Sequence, residues 1–211
     1  MNINIRKENQ EDYRIVEEIA RDAFWNLYFP GCHEHYVVHK MRTHKDFIKE
    51  LSFVIEIDGN IAGAIFYTHS KIISSNKEFK TISFGPVFID PKYHRQGIGK
   101  KLINHSINVA KELGYLAILT LGYPYHYECY GFLGGKNYNI SMPDKKFYKG
   151  LLVLPLYKDA LKNISGYALF SDVFEVLQSD VDEFDKSFPL KEKKYKESQK
   201  EFETASSMLD D

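Results

Sequence analysis

Residues 94–101 read His-Arg-Gln-Gly-Ile-Gly-Lys-Lys, a grouping of glycines and cations suited to holding a phosphate. The apolar run Phe84 to Ile89 before it is long enough for a buried strand, and Asp90-Pro91 ends that strand by fixing φ and removing a backbone donor. Gln96-Gly97-Ile98-Gly99 then opens a helix. A helix start offers unpaired N–H groups and the positive end of the dipole, and Arg95, Lys100 and Lys101 add formal charge. The spacing excludes two common phosphate loops. A dinucleotide fingerprint needs a third glycine where Leu102 stands, and a Walker A loop needs Gly at 94 and Ser or Thr at 101.

The segment His94-Arg95-Gln96-Gly97-Ile98-Gly99 resembles motif A of the GNAT superfamily, the acyl-CoA-dependent N-acyltransferases, in which Gln/Arg-x-x-Gly-x-Gly/Ala binds the CoA pyrophosphate through loop amides. His94 departs from the Gln or Arg of that pattern. Two further segments resemble the family in the right order. Gly85-Pro86 lies inside the preceding strand, where proline is tolerated at an edge or a bulge. The family's strand there is bulged and splays from its neighbour, opening a slot for pantetheine. Tyr127-Glu128-Cys129-Tyr130-Gly131-Phe132 resembles the family's Tyr-x-x-x-Gly-Phe, whose tyrosine protonates the departing thiolate. Gly122-Tyr123-Pro124-Tyr125-His126 is similar to the YhbS-like branch, with Tyr123 in place of an Asp and His126 in place of a tyrosine.

The resemblance implies transfer of an acetyl group from acetyl-CoA, as co-substrate, directly to a primary amine of a small molecule, peptide or protein. It implies cofactor contacts by Val87, Phe88, Ile89, Arg95, Gln96, Gly97, Ile98, Gly99 and Lys100, and catalysis by Tyr127 as proton donor. A backbone N–H near Phe88 is the expected oxyanion donor. Packing among Tyr123, Tyr125 and Tyr130 is the plainer role for Tyr127. An alkylamine is mostly protonated at neutral pH, so some group must take its proton, and His33, Glu34 and His35 are all open as that group. His35 and His39 are spaced to share a helix face, as a zinc pair would require, yet no His-Glu-x-x-His signature is present and no metal is expected. A CoA-binding regulatory or interaction module without turnover is the alternative, and a metal-dependent hydrolase a third reading.

These groups need a scaffold. Ile3 and Ile5 alternate with polar residues as a short strand. Asn9 with Asp12 reads as a capped start for a helix whose apolar face is Tyr13, Val16, Ile19, Ala20, Ala23 and Phe24. His35 to Met41 suggests a second short helix. Ser52–Ile57 and Ile61–Tyr67 around Asp58-Gly59 read as a hairpin, and Ile82–Ile89 follows the polar loop 74–78. Leu102, Ile103, Ile107, Val109, Ala110 and Leu113 form the inner face of the helix after the glycine loop, which Gly114 ends. Tyr115–Leu121 completes a βαβ unit, and Leu151–Tyr157 is a further strand. The expected fold is α+β, GNAT-like: a mixed, largely antiparallel central sheet with a bulged, splayed strand pair and flanking helices.

The 211 residues, 44% hydrophobic, suffice for one N-acetyltransferase domain, expected at 1–160, with a C-terminal extension over 161–211 that is partly helical or frayed. The charge-rich stretch 191–208 reads as a solvated helix or frayed tail without chemistry. A formal net charge of -1 points to neither nucleic acid nor membrane as partner, and a homodimer is an allowed assembly. No signal-like or membrane-spanning run occurs, so the cytoplasm is the expected compartment. Cys32 and Cys129 are expected as free thiols.

Overall fold

The computed structural model describes residues 1–75 and 77–210. Asn76, in the expected loop 74–78, lies outside the described residues. Strand β1 (Ile3–Lys7) leads into a capping box, in which Asn9 accepts from the Glu11 amide and Asp12 from the Asn9 amide, and then into helix α1 (Tyr13–Phe24). Helix α2 (Glu34–Met41) follows, then β2 (Phe53–Ile57), β3 (Asn60–Ile73) and β4 (Glu78–Ile89) in antiparallel succession. Helix α3 (Ile98–Glu112) crosses to β5 (Ala117–Leu121), which runs parallel to β4. After the short α4 (Pro124–Tyr127) come β6 (Leu133–Gly134), β7 (Ile140–Ser141), β8 (Leu151–Pro155) and β9 (Gly166–Leu169), with α5 (Gln178–Asp185) and α6 (Glu197–Ser207) last. The sheet order is β1-β2-β3-β4-β5-β8-β6, antiparallel except at β4–β5 and at the β7–β9 pair.

The sheet is covered on both faces. Leu102, Ile103 and Ile107 of α3 pack on Ile55, Ile65 and Ile82, while Val16, Ile19, Ala20 and Phe24 of α1 pack with α2 on Val54, Ala64, Phe66 and Phe88. Each such fully buried aliphatic or phenyl side chain stabilises the fold by about 1.5–3 kcal/mol.

Strands β3 and β4 are longer than the expected Ile61–Tyr67 and Ile82–Ile89. Their extension is held by hydroxyl pairs, Thr68 with Ser83 at 3.0 Å and Ser70 with Thr81 at 2.8 Å, so residues that look polar in sequence are buried across the ladder. The chain beyond residue 160 contributes to the sheet, since β9 pairs with the end of β3. Nor is 191–210 frayed. The Trp25 indole and the Asn26 amide donate to Glu192 O at 3.0 Å, Ser198 Oγ to Leu27 O at 2.9 Å and Gln199 Nε2 to Asn26 O at 3.0 Å, while Phe202 lies on the Tyr28 ring at 4.3 Å. At the other end the Lys149 amide donates to Met208 O and the Asp210 amide to Phe147 O. Residues 191–210 thus form a strap from the α1–α2 link to the loop before β8. Both cysteines are free, and no helix among the described residues is long and apolar enough to cross a membrane.

Candidate active site

Strand β4 carries a bulge at the expected dipeptide. Ile65 pairs with Val87 and Tyr67 with Phe84, leaving Gly85 and Pro86 opposite Phe66 alone, with Gly85 at φ +150°. β4 meets β5 only at Ile82 and Ser83, so from the bulge onward the edge facing β5 is unpaired. Asp90 N–H donates to Ala62 O at 2.8 Å, and the two-residue period therefore turns the Phe88 N–H toward Ala64 on β3. The N–H groups turned to the open edge are those of Val87 and Ile89, the two residues that flank Phe88.

A cavity of about 420 Å³ runs along this edge. One end is the glycine loop. Arg95 (φ +59°) and Gly97 (φ +76°) are both left-handed, a turn that draws successive amides inward, and the first helical bond, from the Lys101 amide to Gly97 O, leaves the amides of Ile98, Gly99 and Lys100 without a partner in the helix. A Cβ on Gly97 would meet nothing within 4 Å. The space in front of the amides is open, and the donor set fits a pyrophosphate. His94 holds the loop by donating from Nε2 to Ile89 O at 2.8 Å, and Gln96 does so through its side chain to Lys92 O at 3.2 Å. Val87, Phe88, Ile89, Arg95, Gly97, Ile98, Gly99 and Lys100 line the cavity, but Gln96 does not.

Tyr127, with Tyr28 and Phe24 of the α1 side, stands on the same cavity. Its ring packs on Phe84 at 5.4 Å and Phe132 at 5.8 Å, and burial pushes its phenol up to about 12, so it stays protonated at neutral pH. Gly122, to which sequence reasoning gave no task, permits this position: a Cβ there would lie 2.6 Å from Tyr127 Cε2. Tyr125 is 66% exposed and stacks on Tyr123, outside the cavity lining.

The histidines separate. His35 is fully buried, with Nδ1 3.3 Å from Cys32 Sγ and Nε2 3.0 Å from Asp185 Oδ1. His39 shares its helix face as expected, but both rings rest on Phe184 of α5, and His39 Nδ1 is 3.0 Å from Glu17. His33 Nε2 contacts Gln178 Oε1 at 2.8 Å. Among the described residues the metal-competent cluster lies elsewhere, at His44, Asp46 and Asp172; there the Asp46 amide donates to His44 Nδ1, and Ser171 donates to Asp46.

Burial lowers the His35 pKa to about 4. The unfolded chain titrates near 6.5, so the fold favours the neutral ring. Its contribution is complete above about pH 6.5 and is lost as pH falls toward 4, up to about 3 kcal/mol. Urea unfolding should therefore show a steeper loss of stability between pH 6.5 and 4 in the unmodified protein than in His35→Gln. Equal slopes would remove His35 from the account.

One cavity thus joins an open, bulged sheet edge, an amide-lined glycine loop and a protonated tyrosine. The chain matches the Acetyltransferase (GNAT) family over residues 17–130 and belongs to that family. It is 25% identical over 154 residues to the Uncharacterized N-acetyltransferase YhbS of Escherichia coli (strain K12), covering 72% of this chain and 90% of that protein. The crystal structure of Escherichia coli YhbS in complex with CoA has the same fold, with a TM-score of 0.73 at 22% identity over 83% of this chain and 93% of that one. A GNAT family acetyltransferase from Brucella melitensis in complex with acetyl-CoA gives 0.66 at 23% identity over 82% of this chain and 99% of that one.

Proposed function

We propose that this chain is an acetyl-CoA-dependent N-acetyltransferase acting by direct transfer on a primary amine of a small molecule, peptide or protein, in the cytoplasm. The supporting observation is that one cavity joins the glycine-loop amides, the free Val87 and Ile89 N–H groups and the Tyr127 ring. The CoA complex of Escherichia coli YhbS and the acetyl-CoA complex of the Brucella melitensis relative favour the same ligand.

When bound, acetyl-CoA supplies the acetyl group as a thioester. The amides of Ile98, Gly99 and Lys100 hold the pyrophosphate, with Arg95 and Lys100 adding charge. Val87 or Ile89 donates its N–H to the acetyl carbonyl as negative charge develops on that oxygen. Tyr127 donates to the sulfur as the C–S bond breaks. Residues 1–160 carry these groups, and 191–210 form the strap over Tyr28. A homodimer is compatible with these roles, since one chain contains them all.

The test is a screen of amines and peptides with acetyl-CoA, followed by thiol release. Turnover on at least one amine is expected. CoA binding with no turnover across the panel would favour the non-catalytic module.

A further inference from the structure

Transfer to an amine needs a base, and the cavity wall narrows the choice. His33, Glu34 and His35, all open for this task in sequence, do not line the cavity, and among the described residues its wall carries no carboxylate. The ionisable side chains there are tyrosines, the cations Arg95 and Lys100, and two histidines. Burial raises the phenols of Tyr28, Tyr127 and Tyr130, so none of them is ionised at neutral pH. His94 belongs to the glycine loop, where its Nε2 donates to Ile89 O. His126 remains.

Its backbone is fixed and its ring is free. The His126 amide donates to Tyr123 O at 3.0 Å across the turn of α4, and Cys129 Sγ donates to His126 O at 3.8 Å. The ring packs on Tyr125 at 4.3 Å and stands edge-on to Tyr127, with centroids 6.3 Å apart. Neither ring nitrogen has a hydrogen-bond partner among the described residues, and the side chain keeps contact with solvent. The ionisable groups around it are Tyr123, Tyr125 and Tyr127 on its own segment, Tyr28 on the α1–α2 link, and Glu201 of α6, which acts on Tyr123. Partial burial against this wall holds the imidazole below its ordinary value of 6.5, so it is a neutral acceptor at pH 7. Tyr127 marks the place of the thioester, and a ring packed beside it lies within a bridging water of the carbon that the amine attacks.

Resting on the N-acetyltransferase reading above, we propose that His126 is the general base of the transfer, taking a proton from the acceptor nitrogen as the C–N bond forms. The protons balance. Of the three on R–NH3+, one leaves to solvent before attack and one stays on the amide. The third passes to His126 and onward through water to the Tyr127 phenolate, replacing the proton that Tyr127 gives to the sulfur as the C–S bond breaks.

Two measurements test this. In NMR of the CoA-loaded protein the His126 ring signal, assigned by its loss in His126→Phe, should be that of a neutral imidazole at pH 7.5 and should shift when n-butylamine is added. A ring protonated at pH 7.5, or one that n-butylamine does not move, overturns the proposal. Thiol-release kinetics use n-butylamine or the fastest amine of the screen. His126→Phe, which keeps the packing on Tyr125, and His126→Ala should each lose about 10²-fold or more in kcat at pH 7.5, with acetyl-CoA affinity unchanged by calorimetry. Added imidazole should restore turnover in His126→Ala but not in His126→Phe, whose ring fills the place. Full activity in His126→Phe, a loss in His126→Ala that imidazole does not repair, or a loss of acetyl-CoA affinity in its stead also overturns it. If the unmodified protein releases no thiol with any amine of the screen, the transferase reading fails by itself, and the NMR shift alone decides whether His126 meets an amine in the cavity.

Discussion

Tyr127→Phe should lower kcat by about 10²–10⁴-fold, the usual worth of a positioned general acid, while acetyl-CoA affinity changes little. The substitution removes the hydroxyl and keeps the ring that packs on Phe84 and Phe132, so the cavity wall survives. Tyr125→Phe is the control, because that ring is exposed and stacks on Tyr123 away from the cavity; it should be nearly silent. Gly122→Ala should follow Tyr127→Phe in direction, since its Cβ would displace the Tyr127 ring. Thiol-release kinetics with calorimetry of acetyl-CoA binding read both quantities. Loss of turnover in Tyr125→Phe with an active Tyr127→Phe would reverse the assignment.

Gly99→Glu should weaken CoA binding by about two orders of magnitude. A carboxylate placed about 5 Å from a phosphate charge at an effective dielectric of about 20 costs about 3 kcal/mol, and each 1.4 kcal/mol is tenfold. The two glycines separate charge from strain. Gly99 lies outside the left-handed region, and its added Cβ would sit 3.5 Å from Ile89 Cγ1, an ordinary contact, so Gly99→Ala should bind CoA nearly as well as the unmodified protein. Gly97 is left-handed, so Gly97→Ala should lose about 1–2 kcal/mol of stability from backbone strain, and Gly97→Glu should suffer both effects. Unchanged CoA affinity in a folded Gly99→Glu protein would mean that the pyrophosphate sits elsewhere.

The parts of the site legible in sequence are those set by local backbone chemistry. Gly97 and Gly99 announce a loop that turns its amides inward, and Pro86 within an apolar run announces a bulge. Helical periodicity located α1 and α3, because a face buried on a flat sheet must repeat with the helix. What sequence concealed depends on pairing between distant residues. Thr68, Ser70, Thr81 and Ser83 break the apolar pattern that marks a strand, yet bond one another across the ladder. The strap is held largely by backbone carbonyls at Asn26, Leu27 and Glu192, acceptors that every residue owns and no hydropathy pattern records. Gly122 had no local signal either, because its reason is the Tyr127 ring.

The strap also fixes an order of assembly. The glycine loop, the bulged edge and Tyr127 are all present once the chain has been made through β8, whereas α6 ends about fifty residues later. At about 5–20 residues per second, the ribosome adds that stretch in roughly 3–10 s. The residues of the bulged edge, the glycine loop and Tyr127 are therefore all joined to the chain before Phe202, the residue that covers Tyr28, has been added.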